Sequence, residues 1–336
     1  MSTYFVTGSR GFLGEQLCLT LAKDGHRIKA MLRPGSKAPQ SFSHYQLIET
    51  VEADLTSPAQ IGDHLNGVDG IFHLAAFAKP WAKDFAVFHQ VNVKASVDLT
   101  QLAVKHNVKR MVLTSTAGTF GPQESADFVN ESKATHLAPF TEYERTKKLG
   151  WEEALKTAKG QLEMIAVSPT RVFGPGELSV SNAVTKLIHD YVYGSYRFVP
   201  GNGHTIGNYV FINDIIAGHV LAMNHGRSGE NYILGGNNLS YRELFDMVGQ
   251  LSGKHKKLIG IPVSLMMLIS KTMEFSAKIT GNPPKITPPF VRKYTHNWGT
   301  DISKAKEELG YAPKSAEEAI RLTLNWIKQQ KNALPK

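Results

Sequence analysis

Cysteine is almost missing: Cys18 is the only one in 336 residues. An intrachain disulfide is thereby impossible, and so is structural zinc of the multi-cysteine type. No metal site is expected, and a reducing, cytoplasmic setting fits best. Long apolar runs are missing too. No window of about 18 apolar residues occurs, so no membrane span is expected. The oiliest stretch, Val263–Phe275, is broken by Ser264, Ser270, Lys271 and Glu274; it reads as a core or inter-domain helix rather than a membrane contact. The start, Met1-Ser-Thr-Tyr-Phe-Val-Thr7, lacks the basic segment and apolar stretch of a secretory leader. Zinc-finger spacing and an RNP signature are also lacking, so nucleic acid is not an expected partner.

What is present suits a globular protein. Apolar residues make up 42 % of the chain and charged residues 20 %, which excludes wholesale disorder. The net charge of +9 is spread out, with short clusters such as Lys254-His-Lys-Lys257. Such clusters read as solvated surface, and the balance also suits an anionic small ligand.

Strand-like and helix-like stretches alternate through the first half. Thr3–Thr7, Arg27–Leu32, Leu47–Ala53, Gly70–Leu74, Arg110–Thr114 and Met164–Ser168 read as strands. Leu13, Leu17 and Leu21 line one helix face, and Gly25 stands where that helix would end. Longer helices are expected over Val87–His106 and Glu142–Ala158. Short apolar runs without alternation suit strands buried on both faces. The implied fold is α/β: a Rossmann-type doubly wound parallel sheet with a smaller C-terminal substrate-binding part. Residues 1–170 would form the dinucleotide-binding domain, rejoined by a segment at about 209–235. Residues 171–208 and 236–330 would bind substrate. In this second part Asn208–Ile212 and Tyr232–Leu234 read as strands. Ser240-Tyr-Arg-Glu243 and Ser315-Ala-Glu-Glu318 read as helix-opening capping boxes.

Thr7-Gly8-Ser-Arg10-Gly11-Phe12-Leu13-Gly14 follows the first strand and opens the first helix. Gly8 permits a tight turn, Gly11 lets backbone approach a pyrophosphate, and Gly14 lets helix pack on sheet. The helix N-terminus offers free N–H groups to phosphate. An NAD site usually carries an acid at the end of the second strand, about 20 residues on. Here that strand ends in Arg33, followed by Pro34-Gly-Ser-Lys37, with no acid. A guanidinium can grip a 2′-phosphate that a carboxylate would repel. NADP(H) is therefore expected over NAD(H), with Arg10, Arg33 and Lys37 near its phosphate.

Tyr143-Glu-Arg-Thr-Lys147 places a phenol and an ammonium on one helix face. Of the eleven tyrosines, only Tyr143 has a lysine four residues on. A neighbouring ammonium favours phenolate and lowers a tyrosine pKa, which suits proton exchange with a carbonyl or alcohol. Leu113-Thr-Ser-Thr116-Ala-Gly118 closes a strand, and hydroxyls at such an end face the ligand crevice.

In order and spacing these three signals resemble the extended short-chain dehydrogenase/reductase family (the NAD(P)-dependent epimerase/dehydratase superfamily). The resemblance covers nearly the whole chain. It includes Ala53-Asp54-Leu55, His73-Leu-Ala-Ala76, Val91-Asn92-Val93, Ser168-Pro-Thr-Arg-Val-Phe-Gly-Pro175, Val210-Phe-Ile-Asn-Asp214, Asp301-Ile-Ser-Lys-Ala305 and Leu309-Gly-Tyr311. Within the family the chain looks most like the dihydroflavonol-reductase and 3β-hydroxysteroid-dehydrogenase branch. The resemblance implies Tyr143 as general acid/base and Lys147 as the residue that tunes it and bonds the nicotinamide ribose. It implies Thr116, with Ser115 second, as the substrate-orienting hydroxyl. Phe12 and Leu13 fall within the glycine loop. Asp54 and Leu55 would meet adenine, Leu74, Ala75 and Ala76 would pass the cofactor, and Pro169 and Val172 would border nicotinamide. Thr146, Gly150 and Trp151 depart from the usual pattern after the tyrosine.

Relatives of this type divide into NADP(H)-exchanging reductases and NAD-retaining sugar epimerases or dehydratases. Arg33 favours a reductase. So does Gly207 in Thr205-Ile-Gly-Asn-Tyr209, where many sugar-nucleotide enzymes carry a diphosphate-gripping arginine, and so does Ala117, where a dehydratase tends to have an acid. The expected activity is NADP(H)-dependent reduction of an aldehyde or ketone, or oxidation of the alcohol. The alternatives are a nucleotide-sugar epimerase/dehydratase with bound NAD, or a non-catalytic NADP sensor. Trp81, Phe173, Met266 and Met267 suggest an apolar substrate lining, with Ala117 nearby. A homodimer through the helices near 87–106 and 142–158 is expected from the resemblance.

Overall fold

The computed structural model describes residues 1–133 and 135–333. The first half runs β1 (Thr3–Thr7), α1 (Phe12–Lys23), β2 (Arg27–Leu32), β3 (Ile48–Glu52), β4 (Gly70–His73), α2 (Ala86–His89), α3 (Ala95–Lys105), β5 (Arg110–Thr114), α4 (Glu142–Ala158) and β6 (Glu163–Pro169). One π-helical turn, Gln90–Lys94, joins α2 to α3. The second half runs β7 (Arg171–Phe173), α5 (Ala183–Tyr193), β8 (Phe198–Pro200), β9 (Ile206–Phe211), α6 (Ile212–His225), β10 (Asn231–Leu234), β11 (Asn237–Ser240), α7 (Tyr241–Ser252), β12 (Ile259–Ile261), α8 (Val263–Thr280), α9 (Pro288–Lys293), α10 (Ser303–Leu309) and α11 (Ala316–Ala333).

Seven strands form one parallel sheet in the order β10-β6-β5-β4-β1-β2-β3. It is the Rossmann-type α/β sheet expected. Side chains alternate across it, and both faces are covered. Phe5, Met31, Ile71, Met111 and Met164 enter one apolar cluster. Tyr4, Val6, Ile28, Phe72, Val112 and Ile165 enter the other. This two-sided burial explains the unalternating apolar runs. The order reverses between β1 and β4, and the gap at their carboxyl ends is where such sheets bind ligands.

The C-terminal half is richer in strands than its sequence suggests. β7, β9 and β11 form a three-stranded sheet, and β8 and β12 pair separately. β9 belongs to the small sheet; the chain regains the large one only at β10, against β6. The core reading of Val263–Phe275 does not hold. On α8 only Ser270 and Ala277 are buried, while Leu265, Leu268, Ile269, Phe275 and Ile279 are exposed. The two fully buried residues of this helix are small, and the helix packs against α9. Among the described residues no helix is long and apolar enough to cross a membrane.

Two imidazoles are sealed in this scaffold. In α6, His219 Nδ1 donates to the Ile215 carbonyl at 2.8 Å, leaving Nε2 to accept from the Thr114 hydroxyl at 2.9 Å. His73, ending β4, lies 2.7 Å from the Thr7 hydroxyl and 2.9 Å from that of Ser96. Burial pushes His219 down to about 4; burial and the Lys147 charge push His73 down to about 3. Below about pH 6.5 the unfolded chain takes up protons that the folded chain refuses, so stability falls as the pH drops. The urea midpoint is expected to be lower at pH 5 than at pH 7, and the drop to be smaller in His219→Gln. Equal drops in both proteins would overturn the assignment.

Candidate active site

The carboxyl edge of the large sheet opens into a cleft of about 1180 Å³, closed on its far side by parts of 177–187 and 290–294. Its wall takes in Gly8, Arg10, Gly11, Phe12, Leu13 and Gly14 from the glycine loop. Gly8 has φ +70°, and a Cβ there would lie 2.7 Å from the Ala75 nitrogen. A Cβ on Gly14 would lie 2.1 Å from the Gly8 carbonyl oxygen. Glycine at both positions therefore allows β1, α1 and the Leu74–Ala76 segment to converge. Gly11 caps α1 without offering a side chain, which leaves the first-turn N–H groups for an anion. The Ser9 hydroxyl donates to the Met31 carbonyl at 2.7 Å and ties the loop to β2.

Arg33, Asp54, Leu55, Leu74, Ala75 and Ala76 line the next stretch of wall. One Asp54 oxygen accepts from both the backbone N–H and the hydroxyl of Thr56, at 2.8 and 2.7 Å. Those bonds, with Arg33 nearby, hold its carboxyl below the usual range. Neither Arg10 nor Arg33 forms an ion pair among the described residues. Lys37 is exposed and lies off the wall, which Ser36 lines at that point.

At the other end stands α4, opened by a capping box. The Glu144 N–H donates to the Thr141 hydroxyl at 3.3 Å, and the Thr141 N–H to the Glu144 carboxylate at 3.2 Å. This start places Tyr143 on the cleft wall and Lys147, one helical turn on, in a buried position. Helix α4 sits tightly on the π-turn: a Cβ on Gly150 would lie 2.0 Å from the Asn92 carbonyl oxygen. Asn92 donates to the Thr146 hydroxyl at 3.0 Å and to the Phe77 carbonyl, and accepts from the Phe77 N–H. The unusual Thr146 and Gly150 are thus packing features, and Trp151 packs half-buried against the apolar cluster of that face.

The electrostatics differ from expectation. Burial, and secondly the Glu144 carboxylate, push the Tyr143 phenol up to about 12; Lys147 is not among the causes, so the expected lowering is absent. Burial pushes Lys147 down to about 8. Among the described residues no protein group accepts a hydrogen bond from the Lys147 ammonium. Ser115 and Thr116 both reach the wall. The Thr116 oxygen accepts from the Gly118 N–H at 3.3 Å, whereas the buried Ser115 hydroxyl has no partner. Ser115 is therefore the freer of the two. A partnerless ammonium and hydroxyl beside an uncapped glycine loop fit the ribose and nicotinamide end of a dinucleotide.

Pro169, Val172, Arg171, Tyr241, Phe290, Lys293 and Tyr294 complete the wall. Several expected substrate contacts are absent from it. Phe173 is buried in the core, edge-on to Phe211 at 6.3 Å. Trp81 is buried behind the loop whose Phe77 and Ala78 face the cleft. Ala117 is buried in the turn after β5, and Met266 and Met267 sit half-buried on α8, away from the wall. Trp81, Ala117 and Phe173 are packed within the protein. Arg171, Lys293, Tyr241 and Tyr294 were not expected. Gly207 held the only sequence clue, because its lack of a side chain makes room for Arg171: a Cβ there would lie 2.2 Å from Arg171 Nη1. The cleft therefore does hold a guanidinium, supplied from β7.

With this geometry in place, relatives can be compared. Residues 4–235 match the NAD dependent epimerase/dehydratase family, and the chain belongs to that family. It is 28 % identical to sterol demethylase protein B of Methylococcus capsulatus, covering 98 % of this chain and 99 % of that protein. A dihydroflavonol 4-reductase-like protein of Synechocystis is 26 % identical over 96 % and 94 %. The decarboxylating sterol-4-alpha-carboxylate 3-dehydrogenase of Candida albicans is 25 % identical over 98 % of each chain. Among solved structures, the UDP-glucose 4-epimerase of Thermotoga maritima shares the fold, with TM-score 0.80 at 22 % identity over 98 % and 99 %.

The Gly14 contact gives a direct test of the loop. In Gly14→Ala the added methyl displaces the Gly8 carbonyl, and nicotinamide dinucleotide affinity is expected to fall by about tenfold or more. Unchanged affinity in a fluorescence titration would remove the loop from the cofactor site.

Proposed function

We propose that the protein is an NADP(H)-dependent oxidoreductase that reduces an aldehyde or ketone, or oxidises the corresponding alcohol. The observation that carries this reading is the Tyr143 phenol on the cleft wall, with Lys147 buried one helical turn on and the unpartnered Ser115 hydroxyl nearby. Gly8, Gly11, Gly14, Asp54 and Leu55 would hold a nicotinamide dinucleotide, with Lys147 bonding its ribose. When bound, that group would supply or accept hydride. Tyr143 Oη donates its proton to the substrate oxygen in reduction and takes it back in oxidation. A phenol whose pKa lies well above neutral rests protonated, and that is the form the reductive direction needs. The Lys147 ammonium stabilises the phenolate left behind, and Ser115 with Thr116 orients the substrate oxygen. Arg33 and Arg10, both without carboxylate partners, favour a 2′-phosphate.

The names of two relatives, a sterol-4-carboxylate 3-dehydrogenase and a dihydroflavonol reductase-like protein, support hydroxyl–carbonyl chemistry on a bulky substrate. The guanidinium beside Gly207 weakens the case against a nucleotide-sugar substrate that rested on that glycine. Arg33 still favours the reductase.

Tyr143→Phe is expected to cut kcat by at least about 100-fold while NADPH affinity stays within a few fold; full turnover would sink the mechanism. Wild-type protein stripped of cofactor is expected to bind NADPH about tenfold or more tighter than NADH, and equal binding would remove the 2′-phosphate role of Arg33. Lys147 must keep its proton to stabilise phenolate. The kcat/KM for reduction is therefore expected to hold from pH 6 to 7 and fall through about 8. A flat profile to pH 9.5 would exclude that role.

A further inference from the structure

We infer that Arg171, seated on Gly207, is a binding site for an oxyanion carried by the substrate. The inference deepens the proposed carbonyl chemistry by naming a second group on the substrate. The Arg171 side chain crosses from β7 onto β9. Its Nη1 donates to the Tyr209 hydroxyl at 2.9 Å. Its Cζ lies 5.3 Å from the centre of the Tyr209 ring and 5.4 Å from that of Tyr241. The two rings hold the planar cation in place by cation–π attraction. No other protein group among the described residues accepts from it, and no carboxylate pairs with it. The phenols of Tyr196, Tyr209 and Tyr294 are pushed upward chiefly by burial, so they stay neutral and do not cancel the charge.

A largely enclosed arginine serving only structure is expected to pair with a carboxylate or to cap carbonyls. Arg171 does neither, and it stands on the cleft wall. The other cation at this end, Lys293, is already paired with Glu144. The wall's acids are Asp54, engaged by Thr56, and Glu177, which forms no ion pair with Arg171. Arg171 is thus the uncompensated charge at the substrate end, and its planar fork suits a carboxylate or a phosphate. Both the carboxylate of a hydroxy or oxo acid and the diphosphate of a nucleotide have that chemistry.

Calorimetric titrations of NADPH-loaded protein separate these sources. The probes are 3-hydroxyoctanoate, its methyl ester, and UDP. The acid is expected to bind about tenfold or more tighter than the ester. In Arg171→Gln the acid is expected to weaken about 30- to 100-fold, with Arg171→Lys in between. Gly207→Ala pushes the flexible guanidinium aside and is expected to lose about tenfold. This second variant tests the site even where Arg171→Gln fails to fold. Arg171-dependent binding of UDP instead of the acid would keep the oxyanion site and assign it to a nucleotide diphosphate. Acid and ester binding alike, or no Arg171-dependent binding of either anion, would overturn the inference. Because the readout is binding, it stands apart from turnover: anion binding together with full activity in Tyr143→Phe would leave the site and remove the proposed chemistry.

Discussion

A nearly enclosed ammonium group, Lys147, with no hydrogen-bond acceptor among the described residues is the constraint around which the cleft is built. Enclosing Lys147 lowers its proton affinity and costs free energy unless something else solvates the charge. The surroundings nevertheless fix it firmly. The Thr141–Glu144 box sets the start of α4, Gly150 lets the helix touch the π-turn, and Asn92 bonds Thr146 one residue before the lysine. His73 responds to the same charge by staying neutral. The floor of the site thus carries one positive charge rather than two, held for a ligand to complete.

Glu144 links this floor to the C-terminal half. Its carboxylate caps α4 through the Thr141 N–H and pairs with Lys293 of α9, while its charge helps hold the adjacent phenol protonated. One buried acid therefore sets the start of α4, neutralises a cation on the wall and docks the segment that closes the cleft. Asn92 has a similar double role: its amide ties the Phe77 loop to α4, and its backbone carbonyl is the surface on which Gly150 rests.

The legible part of the chain was the part governed by local rules. The glycine loop, the parallel strands and the Tyr143–Lys147 spacing each follow from a short stretch, and each stands in the fold as read. Misreadings came where tertiary context decides. Trp81 and Phe173 are apolar near a cleft, yet their sequence does not say whether water or protein lies beyond them. The spacing of Tyr143 and Lys147 suggests a lowered phenol, whereas the burial and the Glu144 charge that raise it arise only from the assembled cleft. Helix α8 looked like core by composition, but its two fully buried residues are small.

Gly207 shows the same limit from the other direction. Read as a position, it lacks the arginine that would hold an anion. Read as a volume, it is the space that a guanidinium from the paired strand occupies, because Val172 and Val210 are register partners and residue 171 is thereby brought beside the 207–209 segment. The guanidinium that position 207 lacks stands one strand away, over the space that the missing side chain leaves. Matching residue against residue along the chain misses such a placement, while matching cleft against cleft finds it. In this cleft the glycine and the arginine form one packing unit.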